Sequence, residues 1–131
     1  MVNQELLMSY YQNPVNNYVM QDFSISRSEG NLICWDSIII YCKIKDNLIS
    51  ERSFAWQTSI ITTAAAGFFS EIIIWNNLDD ILKRNKDIFI SHWFDVSIRR
   101  QRAMVMPLVA TINWINTFKK LWTLYNLDDY I

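Results

Sequence analysis

The sequence predicts an α+β fold, in which a small three-stranded antiparallel sheet carries helices packed on one face. Apolar residues occupy every second position from residue 38 to residue 44, which indicates a strand with one buried face. These residues are Ile38, Ile40, Cys42 and Ile44. Asp46 and Asn47 follow, and both residue types favour a hairpin turn. From Thr58 onward the apolar spacing changes to the period of a helix.

The first half of the chain predicts one helix followed by three strands. Asn3 is placed to cap a short helix, which Asn13 and Pro14 end because the residue before a proline avoids helical backbone. Weak alternation over residues 19–25 predicts the first strand, and the polar segment 26–31 predicts a loop. The strands 32–45 and 48–57 then form the hairpin.

The second half predicts helices. After the helix that starts near Thr58, Asn77 caps a further helical piece over residues 78–85. Segment 88–98 is apolar and irregular, so helix and strand both remain open there. Pro107 favours the first turn of a long last helix. Its apolar stripe is Leu108, Ile112, Ile115, Phe118, Trp122 and Tyr125.

Composition favours one domain over residues 1–131, since 51% of the 131 residues are hydrophobic. The net charge of -1 gives no electrostatic footprint for nucleic acid, and no apolar run is long enough to span a membrane. The first residues lack the features of a signal peptide, and there are two cysteines. We therefore expect a protein of the reducing cytoplasm. No catalytic motif is visible, which predicts that the protein is not an enzyme.

Four segments, in this order, resemble the IscU, NifU N-terminal and SufU family of iron–sulfur cluster assembly proteins. The segment 10–16 is similar to that family's Tyr-x-Asn-Pro-x-Asn motif, and Cys34-Trp35-Asp36 is similar to its Cys-Gly-Asp motif. Residues 54–71 match its strand, cysteine-bearing turn and small-residue helix. Residues 99–103 resemble its Arg-x-x-Cys-Ala segment. The resemblance implies the fold described above and a role in cluster assembly.

In that family three cysteines and an aspartate converge on zinc or a nascent cluster, because soft thiolates suit both. Carried over by position, the first cysteine is Cys34 and the aspartate is Asp36. The second cysteine falls on Ser59, and the third falls on Arg102, or on Arg100 if the register shifts by two. One thiolate and one carboxylate are too few for a tetrahedral site. We therefore expect weak or absent metal binding and no cofactor, with zinc or a cluster implied by the resemblance only.

Two functions remain open. The first is a scaffold or sulfur acceptor that works with a cysteine desulfurase, in which Cys34 accepts a persulfide. The second is a metal-free pseudo-scaffold that acts as a protein-binding or regulatory module.

Arg99, Arg100 and Arg102 are candidates for binding an acidic partner or a phosphate, although a solvated basic face is the commoner interpretation. The aromatic residues near the end of the sequence are interpreted as packing or as an oligomer contact; they are Trp122, Tyr125 and Tyr130.

The remaining expectations concern single side chains. Ser59 is a natural N-cap for the helix that follows it, which would explain a serine without any metal chemistry. Cys34 is either a functional thiol or a small buried hydrophobe, whereas Cys42 should be buried in the core. If positions 34, 36, 59 and 102 converge, we expect the guanidinium of Arg102 to pair with the carboxylate of Asp36 where the relatives hold a metal.

Overall fold

The structure is a computed structural model that describes residues 4–31, 36–55, 58–92 and 96–131. Its helices are α1 (Gln4–Gln12), α2 (Ile60–Ile73), α3 (Leu78–Ile81), α4 (Asp87–Ile90) and α5 (Gln101–Phe118). Its strands are β1 (Ile25–Asn31), β2 (Asp36–Lys45) and β3 (Leu48–Ala55). Two 3₁₀ helices, Ile98–Arg100 and Leu127–Tyr130, precede and follow α5.

The three strands form one antiparallel sheet in the order β1-β2-β3, which confirms the predicted fold class. Ile38, Ile40 and Cys42 of β2 and Phe54 of β3 are fully buried and share the inner face. Helices α2 and α5 pack against the sheet, and α1 packs against α2. The hairpin turn lies at Asp46 and Asn47 as predicted, with φ of 54° and 63°, the left-handed geometry of a type I′ turn.

The first strand was predicted in the wrong place. The segment 26–31, expected to be a loop, lies in β1, where Ser26 pairs with Tyr41 and Asn31 with Asp36. Of the segment 19–25 that was expected to form the strand, Ile25 begins β1, whereas Phe23 precedes the strand and its ring packs 5.2 Å from the Tyr41 ring. Pairing with β2 outweighs the low strand propensity of a polar edge segment.

The motif at residues 10–16 ties α1 to the rest of the domain. Tyr10 donates a hydrogen bond to Glu71 of α2 at 2.6 Å, and the Asn16 carbonyl accepts one from the backbone N–H of Phe54 at 3.0 Å. Gly67 permits this approach, because a Cβ there would lie 3.3 Å from the Val15 nitrogen. The segment therefore joins α1, α2 and β3.

Helix α5 begins at Gln101, six residues before Pro107, so Pro107 lies inside the helix rather than in its first turn as predicted. It ends at Phe118, and Trp122 and Tyr125 lie beyond it as exposed residues rather than on its apolar stripe. Asn77 caps α3 as predicted, since its side chain accepts from the Asp79 N–H at 2.8 Å, but α3 ends at Ile81. In the open segment 88–98, residues 88–90 end α4 and Ile98 begins a 3₁₀ helix.

A fully buried arginine lies on the inner face of the sheet. Arg52 of β3 donates to the hydroxyls of Ser70 in α2 at 2.8 Å and Thr111 in α5 at 2.9 Å. Its guanidinium lies 5.2 Å from the centre of the Phe69 ring, and its Nε has no hydrogen-bond partner among the described residues. Burial lowers the pKa of Arg52 to about 10, because the charged form is desolvated.

We predict that Arg52→Met leaves the free energy of unfolding within about 1 kcal/mol of wild type, or raises it. The substitution removes a desolvated charge at similar volume, and both hydroxyls keep their bonds to the Ala66 and Pro107 carbonyls. Arg52→Ala, the matched control, should lower stability by about 2–4 kcal/mol through a cavity. Urea unfolding of both variants checks this, and a loss in Arg52→Met as large as that in Arg52→Ala would contradict it.

Candidate functional site

A buried carboxylate lies at the start of β2. Asp36 is 4% exposed, and its two oxygens accept three hydrogen bonds from the beginning of α2. The donors are the Ser59 N–H at 2.9 Å, the Ser59 hydroxyl at 2.9 Å and the Thr62 hydroxyl at 2.5 Å. The structure therefore brings Asp36 and Ser59 together. A carboxylate here also faces the favourable positive end of the α2 dipole.

Ser59 has the capping role that the sequence suggested as its alternative. It is the N-cap residue of α2, and its Oγ accepts a hydrogen bond from the Thr62 N–H at 3.3 Å. The same hydroxyl donates to Asp36. The Ser59 hydroxyl thus accepts from an N–H of the first helical turn and donates to a buried carboxylate. The residue that caps α2 is therefore also the residue that binds Asp36.

Thr62 is the residue of this site that the sequence analysis missed. Its hydroxyl faces two acceptors, Asp36 Oδ2 at 2.5 Å and the Ala103 carbonyl at 3.0 Å. Pro107 explains the second contact: a proline has no N–H, so the carbonyl four residues earlier loses its helical partner. The signals were present in the sequence, because Thr62 follows Ser59 by three residues and Pro107 follows Ala103 by four.

The predicted pair between Arg102 and Asp36 is wrong. Arg102 Nη2 instead lies 2.6 Å from Oδ1 of Asp128, in the C-terminal 3₁₀ helix. The reason is that the Asp36 oxygens are buried and already occupied, whereas the Arg102 side chain is 41% exposed. Arg99 and Arg100 lie in the 3₁₀ helix before α5 and are exposed.

The described residues do not fit a metal ion at this site. No group of three or more histidine, cysteine, aspartate or glutamate side chains that could hold a metal occurs in the described part of the chain. The site contains the carboxylate of Asp36, and both of its oxygens already accept hydrogen bonds from hydroxyl and N–H donors. Cys34 lies outside the described residues. With it, the sequence offers one thiolate and one carboxylate, fewer than the four ligands of structural zinc.

Packing contacts account for Cys42, which was expected in the core, and for His92, the one histidine of the sequence. Cys42 is fully buried, as predicted, and burial raises the pKa of its thiol to about 12. The His92 ring packs 5.2 Å from the Phe68 ring, and its Nδ1 lies 2.8 Å from the Ile88 carbonyl. In the described ranges, no helix is long and apolar enough to cross a membrane.

Fold and site together define a small α+β domain. Where β2, α2 and α5 meet, a polar cluster links them, which we call the Asp36 joint; it consists of Asp36, Ser59, Thr62 and the Ala103 carbonyl. The family model of the NifU-like N terminal domain matches residues 2–119, and the chain therefore belongs to that family. This match confirms the resemblance drawn from the four sequence segments.

Individual relatives agree with the family. The iron-sulfur cluster assembly scaffold protein IscU 1 of Archaeoglobus fulgidus is 27% identical over 81 residues, which are 62% of this chain and 53% of that protein. The corresponding IscU of Thermotoga maritima is 24% identical over 81 residues, covering 62% of this chain and 57% of that protein. The chain thus spans about half the length of these relatives.

Two solved structures share the fold. A putative iron-sulfur cluster assembly scaffold protein for the SUF system from Fervidobacterium islandicum has a TM-score of 0.74 at 16% identity, covering 83% of this chain and 93% of that one. The N-terminal part of a nitrogen-fixing NifU-like protein from Brucella abortus has a TM-score of 0.73 at 12% identity, covering 90% and 94%.

We predict that Asp36→Ala lowers the free energy of unfolding by about 1–3 kcal/mol, because it leaves the Ser59 N–H without its acceptor. Combined with Thr62→Val, it should cost less than the sum of the two single changes, since the two side chains share one bond. Arg102→Ala is the matched control and should cost less than about 1 kcal/mol, since its ion pair is exposed.

Denaturant unfolding of the single and double variants measures these couplings. Asp36→Ala and Arg102→Ala should add to within about 0.5 kcal/mol, because the two side chains do not touch. A coupling energy well above that value would indicate that Arg102 pairs directly with Asp36, and would contradict the Arg102–Asp128 pair of the structure.

Proposed function

We propose that this chain takes part in iron–sulfur cluster assembly as a scaffold-fold protein with a degenerate metal site, and that it is not itself an enzyme. The family match over residues 2–119 supports the assembly role. The observation that carries the degenerate site is the occupation of both Asp36 oxygens by Ser59 and Thr62. We place this role in the reducing cytoplasm, where its two cysteines stay as thiols.

The proposed task is to accept sulfur from a cysteine desulfurase at Cys34. In this step the Cys34 thiolate attacks the outer sulfur of the desulfurase persulfide. A sulfur–sulfur bond forms at Cys34 as the desulfurase bond breaks, and the desulfurase cysteine leaves as a thiolate, so no oxidant is consumed. Cys42 is unsuited to this task because it is fully buried, and its raised pKa of about 12 keeps it protonated.

A sulfur-transfer assay tests this proposal. Incubated with a cysteine desulfurase and free cysteine, the chain should gain the mass of one sulfur atom at Cys34. Cys34→Ser should gain none, whereas Cys42→Ala should behave as wild type. Absence of transfer to wild type would favour the second candidate, a metal-free pseudo-scaffold that binds or regulates a partner protein. The occupied oxygens of Asp36 are the observation that supports that candidate.

We also predict that the reduced wild-type chain retains far less than one zinc ion after dialysis against EDTA, because two ligands do not complete a tetrahedral site. Ser59→Cys combined with Arg102→Cys provides the matched control. With Cys34 and Asp36, it would supply the three thiolates and one carboxylate that the family resemblance implies, and it should hold about one zinc ion per chain.

Zinc content by elemental analysis gives the readout for both proteins. Replacing Arg100 instead of Arg102 in the double variant tests the alternative register. Stoichiometric zinc in the dialysed wild type would overturn the degenerate site without touching the sulfur-transfer proposal.

A further inference from the structure

The last residues of the chain extend past the family match. The match ends at residue 119, and α5 ends one residue earlier at Phe118. Lys120 then takes the left-handed conformation, with φ of 59°, and the Leu121 N–H donates to the Asn116 carbonyl at 2.8 Å. This closure reverses the chain. We call residues 120–131 the tail.

Buried amide side chains fix the direction of the tail. Asn116 Nδ2 donates to the Thr123 carbonyl at 2.9 Å. Asn113 binds Tyr125 twice, donating to its carbonyl at 3.0 Å and accepting from its N–H at 2.8 Å. Asn113 and Asn116 are 1% and 5% exposed, so these bonds are shielded from water. The tail therefore runs back along α5, toward the start of the helix.

The tail ends beside the candidate site. Leu127 and Tyr130 pack against the core, and Asp128 between them reaches Arg102 at 2.6 Å. The backbone carbonyl of Ala103, the next residue of α5, lies 3.0 Å from the Thr62 hydroxyl, which also faces Asp36. The Asp128 and Arg102 side chains are 65% and 41% exposed, and exposed ion pairs of this kind are weak and easily exchanged.

We propose that the tail is an intramolecular competitor, which occupies Arg102 until an acidic segment of a partner protein displaces Asp128. Arg99, Arg100 and Arg102 form the basic surface that receives this segment. Arg99 and Arg100 make no ion pair with the described residues, so the tail neutralises one of three clustered positive charges. Arg99 and Arg100 therefore remain available to the carboxylates of a more acidic segment.

The tail itself indicates the chemistry of that partner. Its last turn reads Leu127-Asp128-Asp129-Tyr130, with adjacent carboxylates between an aliphatic and an aromatic residue. A partner segment of acidic residues flanked by apolar ones would bring both the charge and the packing that the tail supplies in the same chain. This proposal requires neither a metal nor sulfur transfer, so it stands apart from the proposed function.

The probe is a fluorescent peptide with the sequence Asn-Leu-Asp-Asp-Tyr-Ile, titrated against the full chain. Asp128→Asn should bind this peptide about two- to five-fold more tightly than wild type, as expected from release of one exposed ion pair. Asp80→Asn removes the same charge from a remote exposed position of α3 and should bind as wild type does. Adding Arg102→Gln to Asp128→Asn should abolish the gain.

The rate of carboxypeptidase digestion of the folded chain measures how readily the tail is released. The enzyme should remove Ile131 and Tyr130 faster from Asp128→Asn than from Asp80→Asn. Equal peptide affinity in Asp128→Asn and wild type would overturn the competitor role, and so would equal digestion rates. Binding of inorganic phosphate with the same dependence on residue 128, and no binding of the peptide, would overturn the acidic partner.

Discussion

The Asp36 carboxylate is the joint on which the geometry of the site depends. It lies at the start of β2 and accepts the N–H and hydroxyl of Ser59, and the hydroxyl of Thr62. Thr62 extends the joint to α5 through the Ala103 carbonyl, which is available because Pro107 has no N–H. Three elements far apart in sequence are therefore held by one acidic side chain and its donors. The Thr62 hydroxyl carries a single proton, which lies between two acceptors, Asp36 Oδ2 and the Ala103 carbonyl.

A second polar joint of the opposite charge fastens the same layers further along. Arg52 of β3 reaches Ser70 of α2 and Thr111 of α5, each eight residues beyond the α2 and α5 contacts of the Asp36 joint. At both joints a side chain of the sheet meets hydroxyls of the helices. Serine and threonine suit this position, because their oxygen accepts from the guanidinium while their proton returns to a helical carbonyl of the preceding turn. The core is thus apolar between two polar joints, which fixes the register of both helices against the sheet.

The sequence was sufficient where structure follows from local pattern and insufficient where distant segments meet. Alternation along β2 predicted its buried face, and Asp46-Asn47 predicted the hairpin, because both depend on neighbouring residues. Strand β1 was predicted too early in the chain, since its polar residues gain their structure only by pairing with β2. The start of α5 was misplaced because the rule for proline is local, whereas Thr62, 41 residues before Ala103, compensates for it. The partner of Arg102 could not be predicted either, because Asp128 reaches it only after the chain reverses direction at Lys120.

The two charged residues considered for the site, Asp36 and Arg102, differ in their exposure to water. Asp36 is buried and its donors come from the chain itself, so the fold needs no metal at this point to satisfy it. A metal-dependent domain would instead gain folding free energy from its ion and lose it to a chelator. Arg102 faces water and is paired weakly, so its partner is exchangeable at little cost in stability. The buried Asp36 carboxylate, which is paired within the chain, thus contributes to the stability of the domain, whereas the exposed Arg102 guanidinium can change its partner with little effect on that stability.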